Sequence, residues 1–170
     1  MKRRELFGSL FSSKEKKETK IALIRPPYFQ NEDSFQKLCA TCDKPCIVAC
    51  EENIIKIDEN KTVFLDFSQN GCTFCDACAI ACPYEVLDVT YKKEIEAVFE
   101  IDMLKCLSWN ATMCFSCKDP CGYKAIEFLG MFRPSIKLDL CTGCGFCMGV
   151  CPTQAISFTP IKKERHECDI

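Results

Sequence analysis

Cys72, Cys75, Cys78 and Cys82 stand at C-x2-C-x2-C-x3-C spacing with Pro83 directly after, and Cys141, Cys144, Cys147 and Cys151 repeat that spacing ahead of Pro152. Cysteines three apart on a short loop can reach three iron corners of a 4Fe-4S cubane while backbone N–H groups point at its sulfides. The fourth corner needs a thiolate from elsewhere in the chain. Two looser copies accompany the regular pair. Cys39, Cys42, Cys46 and Cys50 carry one extra residue in the middle gap, and Cys106, Cys114, Cys117 and Cys121 have seven residues in the first gap. Sixteen of the 17 cysteines are thereby candidate ligands of 4Fe-4S clusters, four in number, with the second and fourth motifs the regular ones.

The spacing is the bacterial ferredoxin signature, in which the fourth cysteine of one run ligates the cluster of the other. Motifs of this kind come in pairs, and four motifs make two pairs. The separating segments of 21, 23 and 19 residues allow first with second and third with fourth, or an outer pair around an inner pair. The sequential arrangement is the favoured one. Zinc is the rival metal, since zinc ribbons also use C-x2-C pairs, but zinc has no use for three successive ligands at this spacing plus a fourth. Haem attachment needs C-x2-C-H, and the only histidine is His166.

Seventeen cysteines in 170 residues is also the density of a disulfide-stapled secreted scaffold. A secretory signal needs an apolar run of roughly 7 to 15 residues, whereas the N-terminal stretch offers only Leu6 to Phe11 before serines and a charged run. The Arg3-Arg4 pair followed by Leu6-Phe7 lacks the hydrophobic region of a twin-arginine signal. The expectation is a cytoplasmic protein with reduced, metal-binding thiols. No apolar run approaches a membrane span, and a net charge of -2 carries no nucleic-acid footprint. Four oxidised clusters would take that charge to roughly -10, so redox partners are expected to present a basic docking surface.

The elements that must position these thiols repeat too. "CEENIIKI", "CPYEVLDV", "CGYKAIEF" and "CPTQAISF" each place apolar residues four, five and seven positions after the fourth cysteine. "VFLDF", "VFEID" and "SIKLDL" precede three of the motifs with enough alternation for short strands, so each linker reads as strand, turn, strand. "NIIKIDENKTVFLDF" is the clearest, with its turn at Asp58 to Lys61. Ala77, Ala79, Ala81, Gly143 and Gly145 are small enough to let backbone approach an inorganic core, or are simple turn formers. Phe74, Phe115, Phe146, Tyr84 and Tyr123 lie where a ring could shield a cluster or serve ordinary packing.

Roughly a fifth of the 48% hydrophobic residues are cysteine, so bound metal is expected to supply folding free energy that a thin core cannot. The fold expected is α+β, two bacterial-ferredoxin-like two-cluster modules in tandem with short hairpins and short helices. The division is an N-terminal extension 1–35, a module 36–94 with motifs 1 and 2, a module 95–162 with motifs 3 and 4, and a tail 163–170. Leu6, Phe7, Leu10 and Phe11 share one helical face amid basic residues, a pattern that suits a docking element or a solvated end. Cys168 is left over. No phosphate loop, carboxylate pair or nucleophile with a base is visible, so catalytic residues are expected to be none and the protein a one-electron carrier.

Taken together, the residues resemble the NapF ferredoxin-type proteins of periplasmic nitrate reductase systems. The likeness rests on Arg3-Arg4, on "IRPPYF" from Ile24 ahead of the first motif, on "CEENI" and "CTFCDACAIACP", and on the long gap between Cys106 and Cys114. The extra residue between Cys42 and Cys46 departs from that family's usual spacing. The resemblance implies a cytosolic iron-sulfur protein that meets the molybdenum-containing catalytic subunit of periplasmic nitrate reductase before export and helps install or reduce that subunit's own 4Fe-4S cluster. The alternative is a general electron-transfer ferredoxin, or an electron-transfer subunit of another oxidoreductase, whose redox donor the sequence does not identify.

Overall fold

The computed structural model describes residues 23–91 and 93–161; the basic amphipathic segment, His166 and Cys168 lie outside them. Regular structure is sparse and short. In chain order it comprises α1 (Glu32–Leu38), a 3-10 turn at Cys39–Thr41, α2 (Pro45–Ala49), β1 (Ile55–Ile57), β2 (Val63–Leu65), α3 (Ala77–Ile80), β3 (Ala97–Ile101), β4 (Ile126–Leu129), β5 (Phe132–Ile136), α4 (Phe146–Gly149) and β6 (Ile156–Pro160). Helices of four or five residues are far below the length that is stable alone, so tertiary contacts must hold them.

Two of the three linkers are the hairpins their alternation predicts. β1 pairs antiparallel with β2, from Ile55 opposite Leu65 to Ile57 opposite Val63, and β4 pairs with β5 through a bulge at Phe128/Leu129. The linker between the second and third motifs is not a hairpin. Its strand β3 pairs instead with β6, from Ala97 opposite Pro160 to Ile101 opposite Ile156. Alternation marks a strand but not its partner, and here the partner follows the last motif. In the N-terminal half the matching closure is a single bridge, Phe29 to Leu87, backed by the Asp88 amide donating to the Tyr28 carbonyl at 2.8 Å.

The repeat after each fourth cysteine has a structural counterpart. The residues four and five positions on are buried in all four copies: Ile54 and Ile55, Val86 and Leu87, Ala125 and Ile126, Ala155 and Ile156. The residue three positions on takes a left-handed backbone every time, with φ of 56° at Asn53, 53° at Glu85, 53° at Lys124 and 50° at Gln154. A left-handed residue reverses the chain within one step, and the two residues directly after it are the buried ones.

Residues 24–35 carry no cysteine and stand outside the repeat, yet they are core. Ile24, Tyr28 and Phe35 are buried, and the Leu65 amide donates to the Ile24 carbonyl at 2.8 Å. Arg25 fixes this segment to the β1–β2 turn. Its guanidinium donates to Glu32 Oε1 at 2.7 Å, to Thr62 Oγ1 at 2.8 Å and to the Val63 carbonyl at 2.7 Å, and lies 4.8 Å from the centre of the Phe35 ring. Asp58, whose side chain is 8% exposed, stands 3.8 Å from Arg25 and accepts from both the amide and the hydroxyl of Thr62 at 2.7 Å.

Candidate metal centre

Three cavities are each lined by four cysteines, and in each the fourth comes from a different motif. Cys72, Cys75 and Cys78 share theirs with Cys50. Cys141, Cys144 and Cys147 share theirs with Cys121, and Cys106, Cys114 and Cys117 with Cys151. The remaining set is Cys39, Cys42 and Cys46 with Cys82: after burial itself, Cys82 is the largest influence on the ionisation of both Cys39 and Cys46. Twelve of the sixteen predicted ligand positions thus line three four-thiol cavities, and Cys82 stands near Cys39 and Cys46. Cys50 goes with motif 2, Cys121 with motif 4 and Cys151 with motif 3, as in the sequential arrangement.

The elements that build each set are local. α2, α3 and α4 carry Cys46, Cys78 and Cys147, and the residue before each helix is left-handed: Lys44 at φ 55°, Asp76 at 64°, Gly145 at 82°. This reversal turns the loop around the cavity. In the first motif Lys44 makes the turn despite the extra residue, and its amide donates to Cys42 Sγ at 3.2 Å. The third motif absorbs its seven-residue gap by folding it. Asn110 donates its side-chain amide to the carbonyls of Met103, Leu104 and Cys106, and Trp109 Nε1 donates to the Pro134 carbonyl at 3.0 Å. Cys106 is thereby returned to Cys114 and Cys117.

Backbone N–H groups reach the sulfurs as cluster binding requires. Phe74 donates to Cys72 Sγ at 3.4 Å, Leu87 to Cys82 at 3.5 Å, Ala125 to Cys121 at 3.3 Å and Ala155 to Cys151 at 3.2 Å. Burial pushes the Cys39, Cys46, Cys72 and Cys117 thiols up to about 11 and those of Cys78 and Cys147 up to about 12, and it raises Cys141 as well. Neighbouring cysteines add to the rise, while Arg25 and Lys44 oppose it at Cys39. Such crowded thiolates are stable only with cations among them, and soft thiolate donors alone select iron-sulfur or zinc. None of the sixteen is in a disulfide. Among the described residues no group of three or more His, Cys, Asp or Glu is drawn together as a single metal ion requires; three of the four sets of thiols stand around a cavity.

The aromatic candidates divide. Phe74 lines the cavity of Cys50, Cys72, Cys75 and Cys78; Phe146 and Tyr123 line that of Cys121 and the fourth motif. Phe115 packs on Phe128 instead, with ring centres 4.8 Å apart, and half-exposed Tyr84 lines none of the three cavities described. Gly145 is small for a protein neighbour, because a side chain there would overlap the Phe67 ring. Spacing alone did not reveal two wall groups. Tyr28 faces the Cys50–Cys78 cavity and donates to Asp76 at 2.5 Å, and the Thr142 hydroxyl is buried without a partner beside Cys141.

The 4Fe-4S binding domain family matches residues 134–157, which hold the whole fourth motif. The ferredoxin-type protein NapF of Escherichia coli strain K12 is 36% identical over 138 residues, covering 79% of this chain and 83% of that protein. The chain belongs to the NapF family. The Haemophilus influenzae NapF is 29% identical over 167 residues, 92% of this chain and 90% of its own, and the ferredoxin-type protein NapG of Escherichia coli is 27% identical over 175 residues, 85% and 73%. NapF-family membership and the matched domain make this an iron-sulfur protein of ferredoxin type.

Proposed function

We propose that this NapF-family chain holds four 4Fe-4S clusters in two ferredoxin-like modules, residues 36–94 and 95–162, and acts in the cytoplasm on the catalytic subunit of periplasmic nitrate reductase before that subunit is exported. Its work there is maturation: loading or reducing the subunit's own cluster. The observation that carries the four-cluster reading is the reciprocal placement of fourth cysteines, Cys50 with the second motif and Cys82 with the first, Cys121 with the fourth and Cys151 with the third. Family membership supports the partner.

A bound 4Fe-4S cluster supplies exchange of one electron at a time. The chain's part is to set the potential at which that happens. Amides from Lys44, Phe74, Leu87, Ala125 and Ala155 place positive dipoles at the sulfurs, and walls such as Phe74, Ile54 and Leu65 or Phe99 and Ile136 keep water away. The ferredoxin-type relatives and the matched 4Fe-4S domain support reading the chain as a carrier and not an enzyme.

The test is the activity of periplasmic nitrate reductase in cells lacking this protein, assayed with an artificial donor that bypasses natural carriers. The proposal expects low activity at normal amounts of catalytic subunit, because the enzyme was never finished. Full activity overturns maturation and leaves a protein that delivers electrons elsewhere.

A further inference from the structure

The two halves of the chain meet at a seam that joins two ligand residues directly. The Cys72 amide donates to the Cys144 carbonyl at 2.7 Å. Cys72 belongs to the set completed by Cys50, and Cys144 to the set completed by Cys121. The path from one sulfur to the other thus runs along covalent bonds interrupted by a single hydrogen bond.

The seam is built for close approach. A side chain at Gly149 would overlap the Gln69 carbonyl, and one at Gly71 would lie 2.5 Å from the Phe146 amide nitrogen. Above it Phe67 and Phe99, one from each half, stand with ring centres 6.0 Å apart, and both are buried. Within each half the sets are linked by exchanged fourth cysteines: Cys50 of the first motif lines the cavity of the second, and Cys121 and Cys151 change places between the third and fourth.

We propose that the four sites are connected in series in the order motif 1, motif 2, motif 4, motif 3, and that the Cys72–Cys144 contact is the one junction by which an electron passes between the halves. This rests on the reading that each four-thiol set holds a 4Fe-4S cluster. At the junction one electron moves: the site of Cys72 is oxidised by one, the site of Cys144 is reduced by one, and no proton or bond is transferred. The series does not follow chain order. The two irregular motifs fall at its ends.

The test uses the full holoprotein reduced with dithionite, with electron paramagnetic resonance reading spin-spin interaction and hydrogen exchange reading the segment around Cys72. Gly149→Ala should keep the wild-type iron content and the interactions within each half. It should lose the interaction between halves and speed exchange around Cys72 by about tenfold or more. Gly122→Ala, where a side chain meets open space, should change neither. Gly71→Ala opens the same seam from the other side and is read identically should Gly149→Ala take up less iron. Exchange that quickens while the interaction between halves stays whole overturns the junction, and so does a wild-type spectrum equal to two non-interacting pairs. A wild-type protein with no reduced iron-sulfur signal at all sinks the cluster reading itself, a different failure.

Discussion

Cys50, the last thiol of the first motif, shares a cavity with Cys78 of the second. Its counterpart Cys82 is set against Cys39 and Cys46. Each of these two sets therefore draws thiols from both segments of chain.

Replacing Cys82 with Ala should accordingly harm the site of Cys39, Cys42 and Cys46 and spare that of its own motif. The expected result is loss of at most one cluster's iron, about four atoms per chain. Peptide mapping of thiol alkylation would then find Cys39, Cys42 and Cys46 newly reactive. Labelling of Cys72, Cys75 and Cys78 instead would contradict the exchange.

Arg25 is buried among Asp58, Thr62, Val63 and Phe35, and holds residues 24–35 to the β1–β2 turn. Arg25→Met strands the buried Asp58 carboxylate without its cation. The expected cost is about 3 kcal/mol, seen as a fall of roughly 10 °C in the temperature at which cluster absorbance bleaches. Glu32→Gln should cost under about 1 kcal/mol, because Glu32 is half exposed. Equal losses from both would show that burial of the pair is not what matters.

Thr142 has a buried hydroxyl with no partner in the wall beside Cys141. A hydroxyl in that place stabilises the more negative, reduced form of a cluster by donating to sulfur. Thr142→Val should then lower the reduction potential of one site by roughly 40 mV, the equivalent of about 1 kcal/mol for one electron. Potentiometric titration followed by electron paramagnetic resonance reads this shift. Four unmoved potentials would leave the hydroxyl without that role.

Removal of iron by chelation should abolish the cooperative fold. Cys39, Cys46 and Cys78 are buried in the core, and the helices that carry the third cysteines are four or five residues long. Without metal the crowded thiols are left as small apolar groups around cavities. A sharp cooperative melt of the iron-free chain, followed by circular dichroism, would be the contrary result.

Much of the site was readable because thiol spacing is itself geometry. The run from Cys72 to Cys82 dictates which three side chains converge, and the apolar residues after each fourth cysteine mark what is buried with them, as Ile54 to Ile156 confirm. Three features were not readable, each for a physical reason. The left-handed residues Glu85, Lys124 and Gln154 have side chains with no preference for that conformation, so only the surrounding packing imposes it. The pairing of β3 with β6 joins segments that lie more than fifty residues apart, and local alternation is blind to such distance. Residues 24–35 lack the repeat's cysteines, so nothing in the pattern shows that Arg25 and Phe35 complete its core.

Whether the reciprocal four-thiol sets hold four cubane clusters is tested most directly by iron and acid-labile sulfide counted per chain after anaerobic reconstitution. About sixteen of each are expected. About eight of each, or zinc bound with no sulfide, would contradict it.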